Sequence, residues 1–572
     1  MTNREIAKIL KEMAALYEME GVFYKPRAYE NAALAIESFG QELSDIYKRE
    51  GDSGFKKVPG VGAGISAHIH ALLTKRSFPE YRDLKKKYPV DILALTAIEG
   101  VGPKMVGALW EKLKIRDVPQ LERAARAGKI KNLPHFGEKS ETKILKGIAF
   151  LKRAGGRRII ADVLRDAHSL ERLLKAFPGV KEVAIAGSLR RRKETIGDID
   201  ILAISEHPGD TMKRFTALPL VESVYAAGEK KTNVRLKNGL DADLRVIPKE
   251  SFGAALNYFT GSKEHNVLLR EIAIKKGLKL NEYGLYRGKK LIAGKTEAEV
   301  YEALGLRYIE PELREMKGEI EAARNNTLPK LISNGDLKGD LQVQTNWTDG
   351  KDSIEGMAHA AIEVGLRYIA ITDHTKSLAM TGGADEKKLL RQIEEITKLN
   401  KKFLKSEFRI LTGAEVNIMK DGSLDISDDV LSRLNVVGVS VHSLFALSRA
   451  EQTKRVIRAM ENPNADIVFH LTGRLINKRE PIDIDFKEIL KTAKRTGTVL
   501  EINAFPERAD IRDEYVRMCV DAGVKMSIDS DAHARAHFRL LEYGIAQARR
   551  GWAEKKDIIN AWPVEKMLGF LK

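Results

Sequence analysis

The stretch Asp198-Ile199-Asp200-Ile201-Leu202-Ala203-Ile204 limits what this chain can fold into more than any other. Residues two apart share a face of a β-strand. Ile199 and Ile201 therefore point into a core, while Asp198 and Asp200 share the opposite face. Two carboxylates placed this way repel each other unless a cation lies between them, and hard oxygen donors suit Mg²⁺ or Mn²⁺. Ahead of the strand come a short apolar β-type segment, Val183-Ala184-Ile185-Ala186, and then Gly187-Ser188-Leu189-Arg190-Arg191. The Gly-Ser turn offers backbone N–H groups and the Ser188 hydroxyl to phosphate oxygens. Arg190 and Arg191 add forked cationic donors for the same phosphates. A cation site beside a phosphate cradle reads as phosphoryl or nucleotidyl transfer. Asp-x-Asp alone reads more simply as an edge strand with solvated acids. The turn ten residues ahead of the first carboxylate favours catalysis.

A chain of 572 residues predicts several domains. The single cysteine, Cys519, rules out an intramolecular disulfide framework and fits a reducing cytoplasm. The polar, helix-patterned N-terminus is no signal peptide, and no apolar run reaches transmembrane length. The net charge of +17 is uneven: residues 1–300 carry 55 Lys and Arg against 38 acids, the remainder 42 against 42. A basic first half predicts a polyanionic partner for that half and another task for the second.

Within the first half, Ile6, Ile9, Leu10, Met13, Leu16 and Tyr17 recur at helical spacing. Lys25-Pro26-Arg27-Ala28-Tyr29 opens a second helix. Val58-Pro59-Gly60-Val61-Gly62-Ala63-Gly64-Ile65 predicts a hairpin between helices. Ile98-Glu99-Gly100-Val101-Gly102-Pro103-Lys104 repeats it, and Leu133-Pro134-His135-Phe136-Gly137-Glu138-Lys139 is a looser third copy. Glycines at such turns let a DNA backbone approach, and the following helix starts with free N–H groups aimed at a phosphate. These segments look like helix-hairpin-helix units, which hold the sugar-phosphate backbone without reading sequence. Gly60, Gly62, Gly100, Gly102 and Lys104 are the DNA-contact candidates, and a monovalent cation on the turn carbonyls is implied by the likeness.

Gly155-Gly156 breaks the helical periodicity, and alternating strands and helices follow. Asn233–Leu236 and Asp241–Ile247 read as strands of one antiparallel sheet, with Asp243 and Arg245 on one face. Tyr258-Phe259-Thr260-Gly261-Ser262-Lys263 follows. Together these pieces resemble the nucleotidyltransferase signature and, more narrowly, the family X DNA polymerases, the group that includes polymerase beta and the bacterial and archaeal PolX proteins. The resemblance implies a catalytic triad of Asp198, Asp200 and Asp243 holding two divalent ions, Mg²⁺ or Mn²⁺. One ion would activate the primer 3′-hydroxyl and the other would bind the triphosphate, with Asp243 as proton acceptor. It implies a nucleotide site of Gly187, Ser188, Arg191, Tyr258, Phe259, Gly261, Lys263 and Asn266. Asn266 and Arg270 match residues at the minor-groove edges of the nascent pair and template, and Lys25, Arg27 and Tyr29 match contacts to a downstream 5′-phosphate. Polymerase beta places a Schiff-base lysine after its first hairpin; His68 stands here, with Gly64 nearby in place of another basic residue. Imidazole cannot form that imine, so lyase chemistry is not expected.

From residue 337 the pattern becomes strand-helix-strand. Regular alternation predicts a parallel barrel, whose functional residues gather at the C-terminal strand ends. Asp349, Asp373, His374, Glu415, His442, His470, Asp531 and His533 fall at or near such ends. The set resembles the PHP (polymerase and histidinol phosphatase) domain carried by PolX proteins, which implies metal ligands at Asp349, His374, Glu415, His442, His470, Asp531 and His533. Relatives hydrolyse phosphoesters there with Mn²⁺ or Zn²⁺, often as a 3′–5′ exonuclease. Arg474 and Arg508 are candidate phosphate contacts. The chain departs from the pattern at the first motif, where Gln342 and Gln344 replace His-x-His, and Leu471 stands where proline is common. A glutamine amide is a poor substitute for imidazole on a transition metal, so at least one metal position should be weakened or lost.

The expectation is a multidomain chain. An all-α helix-hairpin-helix region comprises an 8-kDa-like domain at 1–85 and fingers at 86–156. An α+β palm at 157–245, a thumb at 246–310, a linker at 311–336 and an α/β PHP barrel at 337–572 follow. The expected activity is monomeric, template-directed, gap-filling synthesis from dNTPs on primer-template DNA at the cytoplasmic nucleoid, away from any membrane. Two alternatives stay open: a barrel that is structural only, and a template-independent nucleotidyltransferase.

Overall fold

Ile6, Leu10, Met13 and Tyr17 recur at three- and four-residue steps, and all four are buried in one apolar stripe of the helix Asn3–Met19. The computed structural model describes the chain except residues 2, 39–41, 59, 99–100, 132, 134–137, 154–155, 379–380, 404–406 and 572. It forms two compact units: Met1–Gly156 with Asn477–Glu480, and Arg157–Ile476 with Pro481–Lys572.

The first unit is helical. Its elements include Lys25–Ser38, Ala63–Lys75, Pro79–Lys87, Pro103–Leu113 and Val118–Arg126, packed around Leu10, Met13, Phe55, Ile69, Leu72 and Leu109. Asp91 and Asp117 cap two of the helices by accepting the N–H groups of Ala94 and Gln120, which satisfies donors that a helix start otherwise leaves unpaired.

In the second unit, a five-stranded sheet runs in the order Val180–Ile185, Asp198–Ser205, Asp241–Val246, Lys231–Leu236, Val221–Ala227. The pair 231–236 and 241–246 is antiparallel as expected. The central pair, 198–205 with 241–246, is parallel, and its register sets Asp200 opposite Asp243. Helix Ile160–Lys175 covers the apolar face, where Ile199, Ile201, Leu244 and Val246 are buried. Helices Phe252–Thr260 and Lys263–Lys275 and the three strands Lys279–Asn281, Gly284–Arg287 and Lys290–Ala293 follow, with a core of their own around Leu269, Leu285, Val300 and Tyr301.

Residues 311–336 are rich in charge and turn formers, yet they are packed. Leu313, Arg314, Glu319, Ile320 and Ile332 are buried, and the stretch contains the helix Glu319–Asn325. The buried charges are tolerated because each has a partner: Arg314 meets Glu297 at 2.6 Å and Glu319 meets His265 at 2.7 Å.

Seven parallel strands then follow in chain order: Gly339–Val343, Tyr368–Ile371, Arg409–Asn417, Val436–Ser440, Ile467–Val468, Val499–Asn503 and Met526–Asp529. The first and last edges meet where Gln344 N–H donates to Ala532 O at 2.8 Å and Ala532 N–H to Gln342 O at 3.2 Å. The barrel is thus nearly closed. Leu341, Tyr368, Leu411, Ile467, Phe469 and Val499 fill one buried cluster. Gly438 is required there, since a Cβ would lie 1.8 Å from the Phe469 ring. Among the described residues no helix is long and apolar enough to cross a membrane.

Candidate functional site

Asp198, Asp200 and Asp243 come together on the central parallel strand pair of the five-stranded sheet. Burial and the neighbouring Asp198 and Asp243 push the Asp200 carboxyl up to about 7, and burial and Asp243 raise Asp198 as well. The Asn233 amide donates to Asp243 Oδ1 from the adjacent antiparallel strand. Like charges held this close favour a divalent cation, and three carboxylates form the hard oxygen set that Mg²⁺ or Mn²⁺ requires. Gly187 lies directly beneath. Its φ is +64°, and a Cβ there would meet Asp200 Oδ2 at 2.2 Å. The backbone of the Gly-Ser turn therefore passes as near to the carboxylates as a chain can, and Ala186 N–H bonds the Asp200 carbonyl at 2.8 Å.

Across from this turn, Tyr258 and Phe259 form an edge-to-face pair with centroids 5.1 Å apart, and Arg245 stacks over Phe259 at 4.3 Å. Ser262 caps the helix Lys263–Lys275 by accepting from His265 N–H. Lys263 is exposed on that first turn, while Asn266 is held by its amide to Tyr258 O at 2.7 Å with Oδ1 unpartnered. Arg270 Nε donates to Asn266 O at 3.3 Å. Arg191 reaches Gly261, its guanidinium bonding Thr260 O and pairing Glu315 at 2.9 Å. Arg190 points elsewhere. It pairs with Glu297 at 2.6 Å, and burial is outweighed there by Arg314 and Arg190, which hold Glu297 down at about 2. Arg190 thus braces the fold, and Arg191 is the arginine beside the pocket.

In the helical unit the two hairpins superpose in pattern. Val61 N–H bonds Val58 O and Val101 N–H bonds Ile98 O, with Gly62 and Gly102 as the N-caps of Ala63–Lys75 and Pro103–Leu113. Gly60, Gly62, Gly102 and Lys104 are exposed. Pro59, Gly100 and the third copy's Pro134, His135, Phe136 and Gly137 lie outside the described residues. Arg27 is exposed, but Lys25 is held by Glu80 at 2.7 Å, and Tyr29 is buried against His68 Nδ1 at 2.9 Å. Glu80 also meets His68 Nε2 at 3.2 Å, a carboxylate within the cluster that sequence reading left unmarked.

At the barrel's C-terminal strand ends Glu415 is the hub. Its Oε1 lies 2.7 Å from His470 Nε2, 3.0 Å from His442 Nε2 and 2.8 Å from Ser440 Oγ. Burial acts to raise this acid, but His374 and His470 hold it well below the usual carboxylate range. His442 Nε2 makes no hydrogen bond in spite of that approach, while its Nδ1 is fixed by Asn417 at 2.7 Å. A ring oriented through one nitrogen and presenting the other is the arrangement of a metal ligand. Two trios have donor atoms mutually within 4.8 Å: Asp349, His374, His533 and His374, Glu415, His442. Mixed imidazole and carboxylate donors fit Mn²⁺ or Zn²⁺. Burial acts to lower His533, yet Asp349 and Asp531 bring it up to about 9.

The remaining expected ligands are otherwise engaged. Gln342 and Gln344 both donate amide hydrogens to Glu415 Oε2, at 3.1 and 2.9 Å. Asp531 is paired with Arg508 at 3.2 Å and accepts from Asn503 at 3.2 Å. Amide donors and a guanidinium stand around the carboxylates where His-x-His would hold a cation. The residues present do not fit an ion there. Asp373 accepts from Thr345, Thr348 and Gln392 and is a buried structural acid. Arg474 makes a two-pronged pair with Glu194, at 2.6 and 3.2 Å, so its guanidinium is not available to a phosphate. Sequence reading also missed Glu315, which pairs with Arg191; Asn503, which reaches Gln342 and Asp531; and Arg550, which reaches the Arg191 carbonyl.

Three family matches cover different regions. Residues 1–78 match the helix-hairpin-helix domain, 255–315 the DNA polymerase beta thumb and 340–562 the PHP domain. The chain is 34% identical over 577 residues to the DNA polymerase/3′-5′ exonuclease PolX of Bacillus subtilis, covering 100% of both chains. It is 26% identical over 352 residues to DNA polymerase lambda of Rattus norvegicus, covering 55% of this chain and 56% of that one. The barrel region is 34% identical over 231 residues to a protein of Thermoanaerobacter named "Probable phosphatase", covering 38% of this chain and 86% of that one. With the aspartate trio on a mixed sheet, the nucleotide-side turn and the histidine-lined barrel in one chain, this protein belongs to the PolX group of family X DNA polymerases, those that carry a C-terminal PHP domain.

Proposed function

We propose that the chain fills short gaps in duplex DNA by template-directed nucleotidyl transfer from a dNTP to a primer 3′-hydroxyl. The convergence of Asp198, Asp200 and Asp243 against the Gly187 turn carries this reading. Asp198, Asp200 and Asp243 would hold two divalent ions, which when bound would supply activation of the 3′-hydroxyl and charge neutralisation on the triphosphate. The Gly187-Ser188 turn and Arg191 hold the phosphates, and the Tyr258–Phe259 pair lies along the sugar. Asn266 and Arg270 face the minor-groove edge of the new pair. Asp243 takes the proton of the 3′-hydroxyl at Oδ2, since Oδ1 is committed to Asn233. The exposed hairpin glycines at 60, 62 and 102, with Lys104, grip the flanking backbone. The protein works as a monomer on DNA of the cytoplasmic nucleoid.

For the barrel, the two trios sharing His374 support a phosphoesterase acting on 3′ ends with Mn²⁺ or Zn²⁺. A second reading, a barrel that braces the polymerase without hydrolysis, is favoured by Gln342, Gln344 and Arg508 at the third position. Degradation of a 3′-labelled single strand in Mn²⁺, lost in His442→Ala, supports hydrolysis; no degradation with polymerisation intact supports the brace.

The polymerase reading is tested on a one-nucleotide-gapped duplex with and without a templating base. Asp200→Ala lowers incorporation on the order of 10³-fold or more while leaving gapped-DNA affinity unchanged. Equal addition without template moves the chain to template-independent transfer, and unchanged incorporation by the variant removes the aspartates from the mechanism.

A further inference from the structure

The loop Arg191–Glu194, which follows the short helix Gly187–Arg190, is held residue by residue. Arg191 pairs with Glu315 at 2.9 Å, and Lys193 approaches the same carboxylate at 3.5 Å. Arg192, at φ +53°, lies 3.9 Å from Glu542, and Glu194 is gripped by Arg474. A side chain disfavours the left-handed backbone region, so the contacts around Arg192 hold the loop in place. Glu542, Arg474 and, above all, Arg550 come from the barrel region. Arg550 is 5% exposed and ends the helix Leu541–Arg550. Its guanidinium donates to the Arg191 carbonyl at 3.0 Å, to Glu315 at 3.2 Å and to Asp513 at 2.6 Å. Lys317 completes the chain on Asp513 at 3.0 Å.

We infer that Arg550 is a positioning residue for nucleotidyl transfer, fixing both the backbone and, through Glu315, the side chain of Arg191 for the triphosphate. The inference rests on the polymerase reading above. Glu315 lies between two guanidiniums. Without Arg550, Glu315 Oε1 would keep only Arg191, with Lys193 3.5 Å from Oε2, and the carbonyl of Arg191 would lose its buried donor. With Arg550 in place, Glu315 is pinned and Arg191 stays beside Gly261, 3.0 Å from where a Cβ would stand. The barrel therefore contributes to nucleotide affinity through contact alone, whether or not it hydrolyses anything.

Single-nucleotide insertion by the full-length chain on a one-nucleotide-gapped duplex tests this. Arg550→Met raises KM for the dNTP about tenfold, the size of one lost charged hydrogen bond, with kcat within about twofold and gapped-DNA affinity unchanged. In an Arg191→Lys background the same substitution adds no further rise, because the effect runs through that guanidinium. A folded Arg550→Met with unaltered KM, or an additive effect in the Arg191→Lys background, overturns the inference. If Arg550→Met does not fold, Glu315→Gln, which keeps the Arg550–Asp513 pair, must raise KM; an unchanged KM overturns it as well. Absence of insertion by the unsubstituted chain overturns the polymerase reading and this inference with it.

Discussion

The palm and the barrel solve the same problem, several carboxylates close together, in opposite ways. In the palm, Asp198, Asp200 and Asp243 are left to repel one another, and Asp200 is pushed up to about 7 as a result. In the barrel, Glu415 is surrounded by His374, His442, His470 and two glutamine amides and is held low, while Asp531 is paired with Arg508. A site with uncompensated charge depends on added cations for its electrostatic balance. A site compensated by its own side chains depends on them less. Metal dependence should therefore be strong for polymerisation and partial for the barrel, despite the larger number of candidate ligands there.

Among changes that leave the charge of the uncompensated site untouched, the largest effect should come from crowding it. Gly187→Ala adds one methyl group that would lie 2.2 Å from Asp200 Oδ2. Either the turn or the carboxylate must shift, and a displacement of about 1 Å at reacting groups costs on the order of 10²-fold in rate. Single-turnover insertion measures this, with circular dichroism to confirm the fold. Full activity in a folded Gly187→Ala would show that the turn and the aspartates are not mechanically coupled.

The barrel gives the converse experiment. Replacing Gln342 and Gln344 together by histidine removes the two amide donors from Glu415 and restores nitrogen lone pairs. The expected outcome is a gain of up to about one bound Mn²⁺ per chain over the unsubstituted protein, read by elemental analysis after dialysis, because thermodynamic preference follows donor type. An unchanged metal count would assign the loss to the Arg508–Asp531 pair instead of the glutamines, and Arg508→Gln added to the double variant would then restore it.

How much of this was legible in the sequence differs between the same two regions. The palm site is written locally. Gly187, Ser188, Asp198 and Asp200 fall within one short stretch, and strand alternation alone places the two carboxylates together. The barrel's alternation and the placing of His374, Glu415, His442 and His533 at strand ends were legible for the same reason. What stayed hidden is pairing at a distance. Glu315 is 124 residues from Arg191 and Arg550 is 359 residues from it. Arg474, expected at a phosphate, is used on Glu194, 280 residues away. The charged, turn-rich composition of residues 311–336 suggested a tether because pattern rules treat charge as solvated. Here Arg314 and Glu319 find buried partners that no local pattern reveals.

The smallest effect expected is thermodynamic, and it sets Asp200 apart from Glu415 by sign. Asp200 has its carboxyl raised from 3.8 to about 7 in the folded chain. Between about pH 4 and pH 7 the unfolded chain has already released this proton while the folded chain retains it, so stability falls as pH rises through that window. Glu415 is held low instead, so it stabilises the fold above its ordinary range and loses that contribution only as the solution becomes more acidic. In metal-free buffer, Asp200→Asn should therefore flatten the decline of apparent Tm between pH 5 and pH 7, by only about 2–4 °C across the window. Millimolar Mg²⁺ should flatten it in the same way for the unsubstituted chain, since a cation takes over the charge that the proton otherwise neutralises. Part of the slope survives in both cases, because burial raises Asp529 of the barrel to about 7 as well. A slope left unchanged by both Asp200→Asn and Mg²⁺ would place the uncompensated charge outside the palm, and the contrast between Asp200 and Glu415 would then no longer stand.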